Sequence, residues 1–245
     1  REGKLNSKTV VVLPEHIGTW LVLANEKEAV YKATSLQEAF KSIRSASVFS
    51  YLNGWFKSPI TDKNSYAILH LKAAKMALQY KQIFSALAKE YKCCIAAGSM
   101  LLPDAIVDAS NTIQSKAGSK IYNTFFLFDT TGATIEPLTK EEVNVEHIFA
   151  AKANNKLLFV ASEKQNISFV VTNSAAHIAN ADSIKNYSLN KNKQFAKIQQ
   201  GIALTFNGNL FDKQLNGHLQ LIQNDTVLVF PPAIGKGRIV CLWLK

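Results

Sequence analysis

A long helical pattern that runs straight into a buried strand sets the strongest limit on this fold. In SYAILHLKAAKMALQYKQIFSALAKEY, Ser65 to Tyr91, the residues Tyr80, Phe84, Leu87, Ala88 and Tyr91 recur at three- and four-residue steps. That spacing builds one apolar helix face and turns Lys81, Gln82, Lys89 and Glu90 elsewhere. CCIAAGSMLLP follows at once, apolar without alternation, as a strand covered on both faces would be, and is expected to end at Gly98 and Ser99. A helix feeding such a strand is half of a βαβ unit, so the chain must build a sheet with helices laid on it.

The other segments fit that plan. TVVVL, residues 9–13, is a continuous aliphatic and β-branched run stopped by Pro14, which predicts another strand buried on both faces with Glu15 at its C-terminal end. NEKEAVYKATSLQEAFKSIRSA reads as helical, and GWFKSPITDKN interrupts it with Gly54, Pro59 and an Asp-Lys-Asn turn. IYNTFFLFDTTGATIEPLT predicts two strands around a Thr-Gly turn, with Lys140 directly after. KLLFVASEKQNISFVVTN repeats the arrangement around Glu-Lys-Gln-Asn, and GHLQLIQNDTVLVFPP and GRIVCLWLK close the chain as further strands. Hairpins and buried strands alternating with long helices give an α/β fold with a mixed sheet. At 245 residues and 47% hydrophobic side chains, a single domain spanning 1–245 is expected.

Charge and cysteine usage narrow the function. No apolar run approaches the roughly 18 residues of a membrane-spanning helix, so no membrane span is expected. Cys93, Cys94 and Cys241 have neither disulfide-framework nor metal-ligand spacing and read as buried thiols. His16, His70, His147, His177 and His218 show no ligand spacing either, and no metal or cofactor is expected. The formal charge of +10 gathers partly in KNYSLNKNKQFAK, which has no arginine and only two aromatics, so a solvated face is favoured over a nucleic-acid surface. The chain opens on Arg1 rather than Met, which implies a missing native N-terminus; localisation stays open, with the cytoplasm slightly favoured.

Several of these segments, taken in order, resemble the nitrilase, or carbon–nitrogen hydrolase, superfamily. VVLPE looks like the family's first catalytic motif, a buried strand ending in Pro-Glu. FSALAKEYKCCIAAGSMLLP followed by YNTFFLFDTTGATIEPLTK looks like its central section and catalytic lysine, and GNLFDKQLNGHLQLIQNDTVL resembles its closing hairpin. The resemblance runs from about residue 9 to 240. It implies the family's αββα sandwich, attack on an amide or nitrile carbon through a cysteine thioester, and association into homo-oligomers.

That chemistry needs a carboxylate to take the nucleophile's proton, for which Glu15 is the match, since a desolvated strand-end carboxylate suits a general base. It needs an ammonium to hold the tetrahedral oxyanion, and Lys140 matches by position. The nucleophile strand corresponds to FVVTN, and the cysteine position falls on Thr172, followed by Asn173 and then Ser174 in the acid's place. A second register, LLFVASE, puts Ala161 in the slot and Glu163 at the acid and lacks a thiol as well. An aliphatic hydroxyl stays protonated where a thiol is readily ionised, and losing a nucleophile costs a hydrolase about six decades in rate, about 8 kcal/mol.

The expectation is therefore a pseudoenzyme or strongly impaired amidase, with Glu15, Lys140 and Thr172 in the catalytic positions. Asn123, Asn173 and Ser174 would bind a small amide or carboxylate. Two alternatives stay open: an active amide hydrolase or acyltransferase whose nucleophile is substituted or omitted in this chain, and an oligomeric interaction module with a basic surface.

Overall fold

The computed structural model describes residues 5–7, 9–116, 120–142, 157–162, 167–172, 200–204, 208–215, 219–223, 226–230 and 240. The chain divides into two compact units, Arg1–Ala151 with Leu210–Lys213, and Lys152–Asn209 with Gln214–Lys245. Both contain mixed sheet, and among the described residues the helices belong to the first, so the α/β character expected from the sequence holds.

In the first unit, β1 (Val10–Val12) is followed by a short 3-10 helix at Thr19–Leu23 and then by α1 (Glu28–Tyr31), α2 (Leu36–Ser45), α3 (Val48–Lys57) and α4 (Lys63–Tyr91). Next come β2 (Cys94–Pro103), the short pair β3 (Ile106–Val107) and β4 (Ile113–Gln114), then β5 (Ile121–Phe128) and β6 (Thr134–Glu142). The main sheet has the order β1-β2-β5-β6, with β1 parallel to β2 and the other neighbours antiparallel. The parallel β1–β2 pair, joined through the helices, is the βαβ crossover that the helix-to-strand junction predicts. β1 is an edge strand and only half-buried, not covered on both faces as its composition suggests.

α4 starts two residues before Ser65, where the Asp62 carboxylate accepts from the Ser65 amide 3.1 Å away. It ends at Lys92, whose left-handed backbone returns the chain into β2. Its buried face is narrower than the sequence pattern suggests. Ala73, Met76, Ala77, Tyr80, Phe84 and Ala88 are buried, whereas Leu87 and Tyr91 are exposed. Tyr80 and Phe84 pack edge-on at 4.6 Å between centroids, and both rings lie about 6 Å from Phe128. Cys93 and Cys94 are buried at the start of β2, as expected, and burial pushes both thiols up; Cys241 lies outside the described residues.

A lysine clasp fastens the β5–β6 hairpin to α4. The Lys81 ammonium donates to Asn111 Oδ1, to the Gly132 carbonyl at 3.1 Å and to Thr134 Oγ1 at 2.7 Å. Asn111 completes a two-way pairing with the Thr134 backbone, and Ser85 Oγ donates to the Gly132 carbonyl at 2.7 Å. The hairpin turn is closed by Asp129, whose carboxylate accepts from the backbone of Thr131 and Ala133.

The second unit holds a five-stranded mixed sheet of order β13-β12-β9-β8-β7. It is built from β7 (Leu157–Ser162), β8 (Ile167–Thr172), β9 (Gln200–Leu204), β12 (Leu219–Gln223) and β13 (Thr226–Phe230). β7 and β8 form the predicted antiparallel hairpin, β12 and β13 form another, and β8 runs parallel to β9. The small hairpin β10 (Gly208–Leu210) and β11 (Lys213–Leu215) precedes β12.

Candidate functional site

The site grows from the way β1 ends. Leu13 makes the last ladder bond, to the Ala96 carbonyl at 2.9 Å. Pro14 has no amide hydrogen with which to continue, so the chain leaves the sheet and folds back over β2. β2 is bulged at that point. Its pairing with β5 slips between Ala96 and Ser99, placing one extra residue on β2. Gly98 takes φ +67°, and a β-carbon there would meet the Pro14 carbonyl oxygen at 2.1 Å. Only glycine permits both the left-handed backbone and so close an approach.

Three bonds fix the returning turn on the bulge. The His16 amide donates to Ser99 Oγ at 2.9 Å, the Gly18 amide donates to the Ser99 carbonyl at 3.0 Å, and the Leu101 amide donates to Thr19 Oγ1 at 3.1 Å. From the helix side, the buried Tyr80 hydroxyl is shared between the carbonyls of Ala97 and Gly98, at 3.0 and 2.8 Å. His16 itself adopts φ +61°, a left-handed backbone that few side chains take and that this over-determined turn enforces.

That geometry aims Glu15 at β5. Asn123 Nδ2 donates to Glu15 Oε1 at 2.7 Å, joining two residues 108 positions apart that the sequence reading assigned to one site. The Glu15 side chain is only 14% exposed and that of His16 33%. His16 Nε2 stands 3.7 Å from the same carboxylate oxygen, beyond hydrogen-bond length. Desolvation pushes the imidazole down to about 4, so the ring is neutral at pH 7 and the contact is not an ion pair. Its Nδ1 lies 3.3 Å from Thr19 Oγ1.

Asn123 is only half used. Donation to the carboxylate fixes its amide orientation, nitrogen toward Glu15 and oxygen away. Its Oδ1 is buried and has no hydrogen-bond partner, a condition that costs about 1–3 kcal/mol. The arrangement is a half-buried carboxylate, oriented by an amide and flanked by a neutral imidazole, with a spare acceptor beside it. Chemically it can accept a proton and receive an N–H donor.

Of the other expected residues, Lys140 lies within β6, paired in register with Thr124, and the adjacent pair is Glu141 with Asn123. The lysine is thus one strand position from the level of Asn123. Thr172 ends β8 in the second unit, where it pairs with Leu157 and Ala203. Asn173 and Ser174 lie outside the described residues, as does Glu163 of the second register. His16, Thr19 and Ser99 are the members that sequence reasoning missed. The one available signal was Gly98-Ser99 itself, which reads as a strand end and is a bulge within a continuing strand. Among the described residues, no group of three or more His, Cys, Asp or Glu side chains could hold a metal ion. No protein-family model matches the chain, and no curated protein and no solved structure matches it either.

Proposed function

We propose that the chain is a carbon–nitrogen hydrolase-like domain of the nitrilase type, with that family's αββα sandwich as its fold. It keeps the glutamate and lysine of that chemistry and carries Thr172 where the cysteine nucleophile belongs. The domain then binds a small amide or carboxylate and turns it over at most feebly. The observation that carries this reading is the Asn123 to Glu15 hydrogen bond, 2.7 Å long, at the exit of β1. It supports a carboxylate held in place for proton transfer. The buried, unpartnered Asn123 Oδ1 favours an amide over a carboxylate ligand, because an acceptor is satisfied by N–H and repelled by a second anion.

Calorimetry with simple primary amides tests the binding site, and a panel of amides and nitriles followed by intact mass tests the chemistry. The reading expects amide binding that Glu15→Gln weakens by about tenfold, the worth of one charge-assisted hydrogen bond. It expects no acyl adduct and no turnover at ordinary amidase rates. Such turnover would refute the loss of the nucleophile, and a wild-type chain that binds no amide would refute the site.

A further inference from the structure

α3 is apolar on both sides, and only one side is used. Tyr51 is buried, and Gly54 lets the helix lie against α4 so closely that a β-carbon would stand 3.1 Å from the Ala67 backbone. On the opposite side Phe49, Leu52 and Phe56 follow at three- and four-residue spacing, which makes a single ridge. Phe49 is 90% exposed and Phe56 74%, values far from those of single surface apolar residues tolerated by chance. Cations ring this helix. Arg44 lies 5.5 Å from the Tyr51 ring centroid, Lys63 Nζ 4.6 Å from that of Trp55, and Lys57 ends the helix. Residues 39–61 contain no Asp or Glu. The acids that flank the segment are engaged at helix starts, Glu38 by Thr34 and Asp62 by Ser65.

We infer that α3 is a docking ridge for an anionic lipid surface, with Phe49, Leu52 and Phe56 entering the interface while Arg44, Lys57 and Lys63 meet lipid phosphates. An apolar ridge on an acid-free, cationic segment is the pattern of helices that lie in the headgroup plane. A second copy fits worse, because a two-fold contact would set the same cations against each other in a chain of net charge +10. A protein partner would have to supply a groove for a projecting ridge, whereas a bilayer moulds to it. The contact is peripheral, and among the described residues no helix is long and apolar enough to cross a membrane.

The test is co-sedimentation of the full chain with vesicles of phosphatidylcholine alone or mixed with phosphatidylglycerol. Binding should require phosphatidylglycerol and weaken with salt. The pair Phe49→Ser and Phe56→Ser replaces exposed side chains, so circular dichroism should show an intact fold while the partition coefficient falls at least about tenfold. Arg44→Gln and Lys57→Gln should each lower it about fivefold. The proposal is overturned if the wild type binds neither vesicle, or if the serine pair binds as the wild type does. It is equally overturned if the serine substitutions dissolve a dimer in a chain that ignores vesicles, or if polyglutamate binds where vesicles do not.

Discussion

β5 meets two polar clusters five residues apart, about 17 Å at strand rise, and they are built on opposite principles. At its hairpin end the Lys81 clasp uses its groups fully. The ammonium has three acceptors, Asn111 pairs with Thr134 through both amide atoms, and Gly132 receives two donors. At the other end, around Glu15, a non-glycine residue holds a left-handed backbone, a histidine is kept neutral, and a buried amide oxygen goes without a partner. A polar cluster that only fastens elements together has no reason to leave a buried acceptor open. One that receives a ligand does. Polarity and burial alone do not separate the two clusters; saturation does.

The comparison breaks first at the bulge. Gly98→Ala puts a β-carbon against the Pro14 carbonyl on a backbone that alanine resists, and should destabilise the first unit by about 3 kcal/mol or more in chemical denaturation. If that cost is absent, the turn is not pinned as described. Lys81→Met comes next. It keeps the aliphatic stem near Phe128 and removes three donations, so about 1–2 kcal/mol of stability should go while amide affinity stays unchanged.

Asn123→Ala should show the reverse pattern. Losing the bond to Glu15 is offset by deleting the unsatisfied oxygen, so stability should move by less than about 1 kcal/mol while amide affinity falls about tenfold. Equal losses of stability from Lys81→Met and Asn123→Ala would erase the distinction between the clusters. The smallest effect is in pH. The His16 pKa is lowered on folding, so the unfolded chain binds more protons between the ordinary value of 6.5 and about 4. Its contribution to stability is present above pH 6.5 and is lost as pH falls toward 4. His16→Asn, which tolerates the left-handed backbone, should flatten that limb of the stability curve, and an unchanged limb would mean that His16 titrates normally.

Elements governed by period were legible in the sequence, and those governed by close contact were not. α4 was evident from its apolar repeat, and the strands TVVVL and CCIAAGSMLLP from their unbroken aliphatic runs. The break expected at Gly54 comes three residues later, because that glycine serves helix packing against Ala67 rather than a turn. Gly98 misled in the same way, serving as a bulge where a strand end was expected. Leu87 and Tyr91 fit the helical repeat but are exposed, the buried stripe running instead through Ala73, Met76, Ala77, Tyr80, Phe84 and Ala88. Within the candidate site, Glu15 and Asn123 were reached through order and resemblance. His16 and Ser99 join them through a backbone reversal that no side-chain pattern announces.

The central proposal is that Glu15 is the proton-accepting carboxylate of a hydrolase-like chain that carries Thr172 in place of the nucleophile. Intact mass after incubation with an activated amide or ester tests it most directly, in the wild type, in Thr172→Cys, and in Thr172→Cys combined with Glu15→Gln. The account predicts no adduct on the wild type, one acyl group on Thr172→Cys, and loss of that adduct when Glu15 is also replaced. A Thr172→Cys chain that is never acylated, or that is acylated equally without Glu15, would contradict it.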